Sequence, residues 1–547
     1  MNTSYRSIIS SLVILFVLTG CQSTPYQLLS VVPHRIEVTK ALDAHPDAKV
    51  TAFIAPYHVG VDSLRMPYIG ESAVYMPGHR PESLLSNWVA DAFVTAARRM
   101  GFTADFGLCN IGGLRAALPQ GRVCRGDIMA IAPFENKFSI VKLKGSDVME
   151  LMQNIATVKG EGVSSVVHVV ITSDGQLQSA SIGGQPIDPN RIYTIATLDY
   201  VADGNDKLVA MKKAVERIDT DELVRETLMK HVKLLDQQGQ KAHAAIEGRV
   251  TMNIVGETVH QAAASQQEAE KTLMSIRPVG GSKTRELLIV HTNDTHSCVE
   301  PLNPNLADTA QADKGGYLRR AALLNDLRAR DPQLLLVDAG DFSQGSAYYN
   351  LYHGDVEVGL MNLMGYDAAT IGNHEFDFGV ENMARLFRMA HFPIVCCNYD
   401  FTGTACEGIV KPYVIIKRNG LKIGILGVSP QLEGLVSAHT CAGVRYNDPI
   451  AAAQPIADYL KNKAKCDLVV CLSHLGWKVA GISDDEFIPA TRNIDVVIGG
   501  HSHTYFVNPQ LLKNLDGILV PNNQMGKNAR YVGTLRLTVG RDAKSTR

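Results

Sequence analysis

The sequence has no excess of charge of either sign: 53 Lys and Arg stand against 55 Asp and Glu, a formal net charge of −2 over 547 residues. A global basic field for a nucleic acid polymer is thereby excluded, and whatever binds must do so at a local site. After residue 18 there is no run of the about 20 apolar residues that a membrane-spanning helix needs. No internal repeat is evident, so the length divides among two or three ordinary domains. What is present, 46% hydrophobic and 20% charged residues, is the composition of a folded chain.

The amino terminus stands apart. Arg6 precedes a mostly apolar stretch from Ile8 to Leu18, interrupted by Ser10 and Ser11. That stretch is too short to span a bilayer and matches a secretory signal. It ends in Leu18-Thr19-Gly20-Cys21, which resembles the bacterial lipoprotein box. The resemblance implies cleavage after residue 20, lipidation of Cys21 and an exported protein anchored to a bacterial membrane in the cell envelope. Of 10 cysteines, 9 remain once Cys21 is set aside. An oxidising compartment would let some pair, with Cys109 and Cys124 the nearest candidates in the first half.

Residues 28–255 mix helical and strand patterns. "SLLSNWVADAFVTAARRM" has helical apolar spacing, whereas "FSIVKLKG" and "SSVVHVVITSDGQLQSASIGG" read as strands with turns. Residues 256–286 lose hydrophobic density and read as a linker. From 287 to 547 the rhythm changes. Apolar runs such as "ELLIVHTND", "QLLLVDAGD", "KIGILGVS" and "DLVVCLSH" alternate with amphipathic stretches such as "GGYLRRAALLNDLRAR". Buried strands alternating with helices predict a layered α/β domain.

Five of these runs end in ligand-type residues: Asp294 and His296, Asp341, Asn373 and His374, His474, and His501 with His503. One such end, for example "GNHEFDFG", could be a polar turn, and a lone His after a strand is more often structural. Five in one domain are another matter, because the carboxyl ends of strands in a layered sheet open onto a common crevice. Oxygen and imidazole donors together suit Zn, Mn, Fe or similar divalent ions.

The pattern D-x-H, G-D, G-N-H-E, H and G-H-x-H resembles the calcineurin-like metallophosphoesterases, and "HTNDTHS", "DAGDFSQGS" and "GNHEFDFG" resemble their 5′-nucleotidase branch. The resemblance implies a β-sandwich flanked by helices and two divalent metal ions. Asp294, His296 and His503 would serve one ion and Asn373, His474 and His501 the other, with Asp341 bridging. It also implies that His374 protonates the leaving oxygen while Asp377 orients it.

In the first half, "CNIGGLR", "APFENKF" and "TLDYVADGNDKL" resemble the α+β nucleotide-recognition domain that family members usually carry second. The order is reversed here. By resemblance Phe134 and Tyr200 would sandwich a nucleobase, Asn110 and Arg115 would contact base, ribose or phosphate, and Asp206 would accept from ribose hydroxyls, with Arg80 a further contact. Ile111, Asn205 and Lys207 stand where the motifs have glycine. The expected function is a 5′-nucleotidase. The alternatives are a UDP-sugar hydrolase or 2′,3′-cyclic nucleotide phosphodiesterase and, from another class, a non-catalytic nucleotide-binding surface lipoprotein. The complete set of ligand residues favours an enzyme.

Overall fold

The computed structural model describes residues 26–254, 274–276, 284–303 and 310–540. The expected signal segment 1–20, Cys21 and most of the expected linker 256–286 lie outside the described residues. Among the described residues no helix is long and apolar enough to cross a membrane.

The second half is built on two six-stranded sheets. In one, Thr284–Thr292, Leu335–Asp338 and Ala368–Ala369 run parallel, each continuing an apolar run identified in the sequence. In the other, Leu421–Val428, Leu468–Ser473, Val496–Gly499 and Leu519–Asn523 run parallel. Leu287, Ile289, Leu335 and Val337 of the first sheet share one core with Ile423, Ile425, Val470 and Ile498 of the second. Strands buried on both faces explain why these runs are continuously apolar rather than alternating.

The boundary expected at residue 28 does not hold. Gln27–Glu37 is a strand of the second half's sheet, antiparallel to Tyr531–Gly540, which pairs in turn with Thr284–Thr292. The helix Ala48–Arg65 follows, with Asp47 capping it and accepting from Asn325 Nδ2 at 2.6 Å. Tyr57 on this helix meets the Tyr352 ring edge-on at 4.8 Å. The first strand therefore finds its partner at the opposite end of the chain, a pairing that no local pattern encodes. The half at 68–254 is thus an insertion flanked in sequence by strands of one sheet.

That inserted half holds a five-stranded sheet ordered Glu216–Leu223, Lys137–Lys144, Ile192–Leu198, Phe106–Cys109, Gly162–Val163. The helix Leu84–Arg99 covers it, started by Ser83 accepting from the Ser86 amide. Leu85, Trp88, Val89, Ala92, Phe93 and Ala96 form its buried stripe at the spacing a helix requires. A four-stranded sheet, Val250–Asn253, Val167–Thr172, Leu177–Ile182 and Gln185–Pro186, completes the half. Cys109 and Cys124 are both free thiols, as are the other seven described cysteines, so the expected pairing is absent among the described residues.

Candidate active site

The parallel strands of both sheets end at one crevice, where the chain turns sharply. Asp294, His296, Asp341, His501 and His503 all adopt left-handed backbone angles, with φ of 48°, 44°, 54°, 70° and 53°. Asp and His tolerate this region better than most residues, and such strained turns concentrate at functional sites. Two glycines permit the close approach. A Cβ on Gly372 would lie 2.1 Å from Asp341 Oδ1, and one on Gly340 would lie 2.8 Å from His474 Nδ1.

The side chains fall into two groups that share Asp341: Asp294, His296 and His503 on one side, His474 and His501 on the other. Asn373 joins the second group, its Oδ1 lying 3.0 Å from His501 Nδ1. His474 shows what the crevice is built to hold. Its Nδ1–H donates to the Ala339 carbonyl at 2.7 Å, which turns Nε2 toward Asp341 Oδ2 at 3.1 Å. On the other side His296 Nε2 and His503 Nε2 face each other at 2.9 Å. Imidazole nitrogens and carboxylates converging in a buried space call for positive charge among them.

The electrostatics agree. Burial opposes protonation of His474, yet the charges of Asp341 and Asp294 push its pKa up to about 10. Burial drives Asp294 upward, whereas Asp341, despite its burial, is held well below the usual carboxylate range by His474, His374 and His296. The carboxylates draw positive charge into the crevice. The residues present thus fit divalent metal ions.

His374 lies beside this group. Its backbone N–H donates to Asp341 Oδ1 at 2.9 Å, and its Nδ1 lies 3.1 Å from Asp377 Oδ2. Burial opposes the charged imidazolium, but Asp377 and Asp341 outweigh it and raise the His374 pKa. Glu375 receives no role from sequence, although it stands within "GNHE". Its carboxylate accepts from the amides of Gly372 at 2.6 Å, Asp341 at 3.1 Å and Ser343 at 3.1 Å, tying together the two loops that present Asp341 and Asn373.

The inserted half faces the crevice across a cleft of about 300 Å³. Asn110, Arg115, Phe134, Tyr200 and Asp206 line one wall, and Asp341, Asn373, His374, Asp377, His501 and His503 the other. The Phe134 ring lies 5.7 Å from the His374 ring. Asp206 is held from two sides, by Asn110 Nδ2 at 2.7 Å and the Tyr200 hydroxyl at 3.1 Å. Burial lowers the Arg115 pKa, opposed by Asp341, Asp377, Asp294 and Asp206. Leu435, Val436, Ser437 and His439 add a third wall that carries no motif and gives no signal in the sequence.

Arg80 is the exception. It does not line the cleft, because its guanidinium is tied to Glu161 and its Nε donates to the Gly160 carbonyl at 2.8 Å. The expected direct contact with substrate is therefore replaced by a contact behind the loop at 110–113.

Residues 287–505 match the model of the calcineurin-like phosphoesterases, the class that such a ring of ligands at strand ends defines. Residues 68–213 match the model of the 5′-nucleotidase C-terminal domain, so the two matches stand in the reverse of the order usual in the family that the sequence resembles. A 5′-nucleotidase of Bos taurus is 32% identical over 271 residues, 46% of this chain and 46% of its own length. One from Diplobatis ommata is 30% identical over 297 residues, 51% of this chain and 50% of its own. Among solved structures, a 5′-nucleotidase precursor from Thermus thermophilus is 31% identical, covering 48% of this chain and 52% of its own, with a TM-score of 0.42. The chain spans about half the length of these curated relatives.

Proposed function

We propose that the protein is a 5′-nucleotidase that hydrolyses nucleoside phosphates to nucleoside and phosphate with two divalent ions. One observation carries this reading: a wall with two aromatic rings and a carboxylate shares a single cleft with the ring of metal-ligand residues. An aromatic face binds any base with roughly 1–3 kcal/mol of stacking energy, and Asp206 would accept from ribose hydroxyls. The phosphate would then meet Arg115 and the crevice around Asp341.

Asp294, His296 and His503 would hold one ion, and Asn373, His474 and His501 the other, with Asp341 between. When bound, divalent ions there neutralise phosphoryl charge and make water acidic enough to attack near neutral pH. The chain's own groups do the rest. Arg115 orients the phosphate, and Glu375 keeps the loops of Asp341 and Asn373 in register. Water attacks in line at phosphorus, the bond to the ribose 5′ oxygen breaks, and His374 delivers its proton to that oxygen. Asp377 holds the imidazole by Nδ1–H and favours its charged form, in keeping with the raised pKa.

The test is phosphate release from AMP, UDP-glucose and a 2′,3′-cyclic nucleotide by protein of measured metal content. Release from AMP that stops on chelation and returns with added metal is expected. Metal-loaded protein that leaves AMP intact overturns the reading. We further propose export and lipid anchoring at Cys21, supported by the sequence Leu18-Thr19-Gly20-Cys21. Lipid label that persists in Cys21→Ala rules that out.

A further inference from the structure

The loop at 110–113 departs from its family motif, since Ile111 stands where a glycine is expected. Ile111 is buried at 6% exposure, and its backbone N–H donates to Glu161 Oε2 at 2.5 Å. The Glu161 side chain is wholly buried, and its other oxygen, Oε1, is paired with Arg80. Arg80 is fixed in turn by its Nε bond to the Gly160 carbonyl. On the far side of the loop Asn110 donates to Asp206, which itself sits at a left-handed φ of 52° and also accepts from Tyr200. Gly113 is needed beneath Asn110, because a Cβ there would lie 2.9 Å from Asn110 Oδ1. These contacts form one line from Arg80, through Glu161 and the loop, to the carboxylate in the cleft.

We propose that Arg80 and Glu161 are the positioning pair of the nucleoside site: Glu161 sets the conformation of residues 110–113, and through Asn110 the direction in which Asp206 faces a nucleoside's ribose hydroxyls. This rests on the nucleotidase reading. A buried carboxylate stays ionised only when it is paired and hydrogen-bonded. Burial pushes the Glu161 pKa up to about 7, and Arg80 and the Ile111 amide oppose that rise, so Arg80 favours Glu161 as an acceptor for that amide. Neither residue touches substrate. Their effect passes through Asn110 to Asp206.

Glu161→Gln tests the pair with little change of shape, because the amide keeps one acceptor and turns a donor toward groups that themselves donate. The readouts are the Kd of adenosine by calorimetry, KM and kcat on AMP, kcat/KM on a small aryl phosphate, and the thermal midpoint. In folded Glu161→Gln, Kd for adenosine and KM for AMP should rise about 10-fold, a change of about 1.4 kcal/mol, with kcat on AMP nearly constant. Arg80→Ala should match it, and the double variant should lose no more than either single, as expected of one shared function. Arg80→Lys keeps the charge but not the fork of donors, and should lose less than Arg80→Ala. This milder variant carries the test if Glu161→Gln does not fold. Unchanged adenosine affinity in folded variants overturns the proposal, as do equal losses on AMP and the aryl phosphate. A wild-type protein that binds no adenosine overturns the nucleotidase reading and the pair's role with it, an outcome separate from variants that bind as wild type.

Discussion

The two walls of the cleft are made in different ways. On the metal side, every assigned ligand follows the end of a parallel strand by a few residues, so sheet topology brings them to one crevice. On the recognition side, the carboxylate of the wall is held by side-chain contacts instead, from Asn110 and Tyr200 to Asp206. Asp206 and Asn110 are 96 positions apart, and Arg80 and Glu161 are 81 apart. A site positioned by its sheet needs the right residue at the right place and tolerates little drift. A site positioned by side-chain pairs can lose a motif glycine if another pair restores the loop. In this chain the metal-ligand set is complete, whereas Ile111, Asn205 and Lys207 stand where the recognition motifs have glycine.

The largest expected effect lies where the two metal groups meet. Asp341→Ala removes the carboxylate shared by both groups. It also removes the acceptor for the His374 amide. Metal content should fall for both positions, and phosphate release should drop to background on AMP and on a small aryl phosphate alike. Elemental analysis with the two assays checks this. A variant that keeps a full metal complement would show that the crevice does not depend on the shared carboxylate.

His374→Ala should be smaller and different in kind. Its side chain pairs with Asp377 rather than with the ligand groups, so metal content should stay near wild type. The kcat should fall by a factor on the order of 10²–10⁴, the range for a lost general acid. Loss of both metals would place His374 among the ligands instead.

Much of the metal wall is legible because residue type and strand-end position carry the information together. "GNHEFDFG" announces its loop, and the fold brings Asn373, His374 and Asp377 to the cleft. Three things are not legible. Gln27–Glu37 reads as part of the wrong half because its partner Tyr531–Gly540 lies at the other end of the chain. Arg80 reads as a substrate contact because a motif match cannot show that its guanidinium is already occupied by a buried carboxylate. The wall at 435–439 has no motif because a loop that only shapes a cleft needs no fixed residue types.

The recognition wall should yield a graded and selective loss. Truncating Tyr200 to Ala removes one aromatic face, and kcat/KM on AMP should fall by about 5- to 150-fold, the equivalent of roughly 1–3 kcal/mol. A small aryl phosphate should lose less, since it presents no base or ribose. Phe134→Ala should discriminate less sharply, because its ring lies 5.7 Å from the His374 ring and so borders the catalytic wall as well. Thermal unfolding should accompany both assays, as an aromatic truncated in a packed setting can cost about 3–5 kcal/mol. Equal losses on both substrates in folded protein would mean that the aromatics do not select nucleotides.

The smallest effect separates the two roles that Tyr200 combines. Tyr200→Phe keeps the ring and deletes only the hydroxyl that donates to Asp206 Oδ1 at 3.1 Å. A carboxylate offers about four acceptor positions. The Tyr200 hydroxyl and Asn110 Nδ2 use two of these, which leaves capacity for both ribose hydroxyls. Losing one neutral donor should weaken that orientation by about 0.5–1.5 kcal/mol, or roughly 2- to 12-fold in kcat/KM on AMP. On a 2′,3′-dideoxynucleotide there is no hydroxyl for Asp206 to accept, so Tyr200→Phe and wild type should differ little. A loss of the same size on both nucleotides would show that the hydroxyl acts on the base or the loop, and that Asp206 does not face the ribose. A loss confined to the ribonucleotide would place sugar recognition on Asp206 and leave stacking to the ring alone.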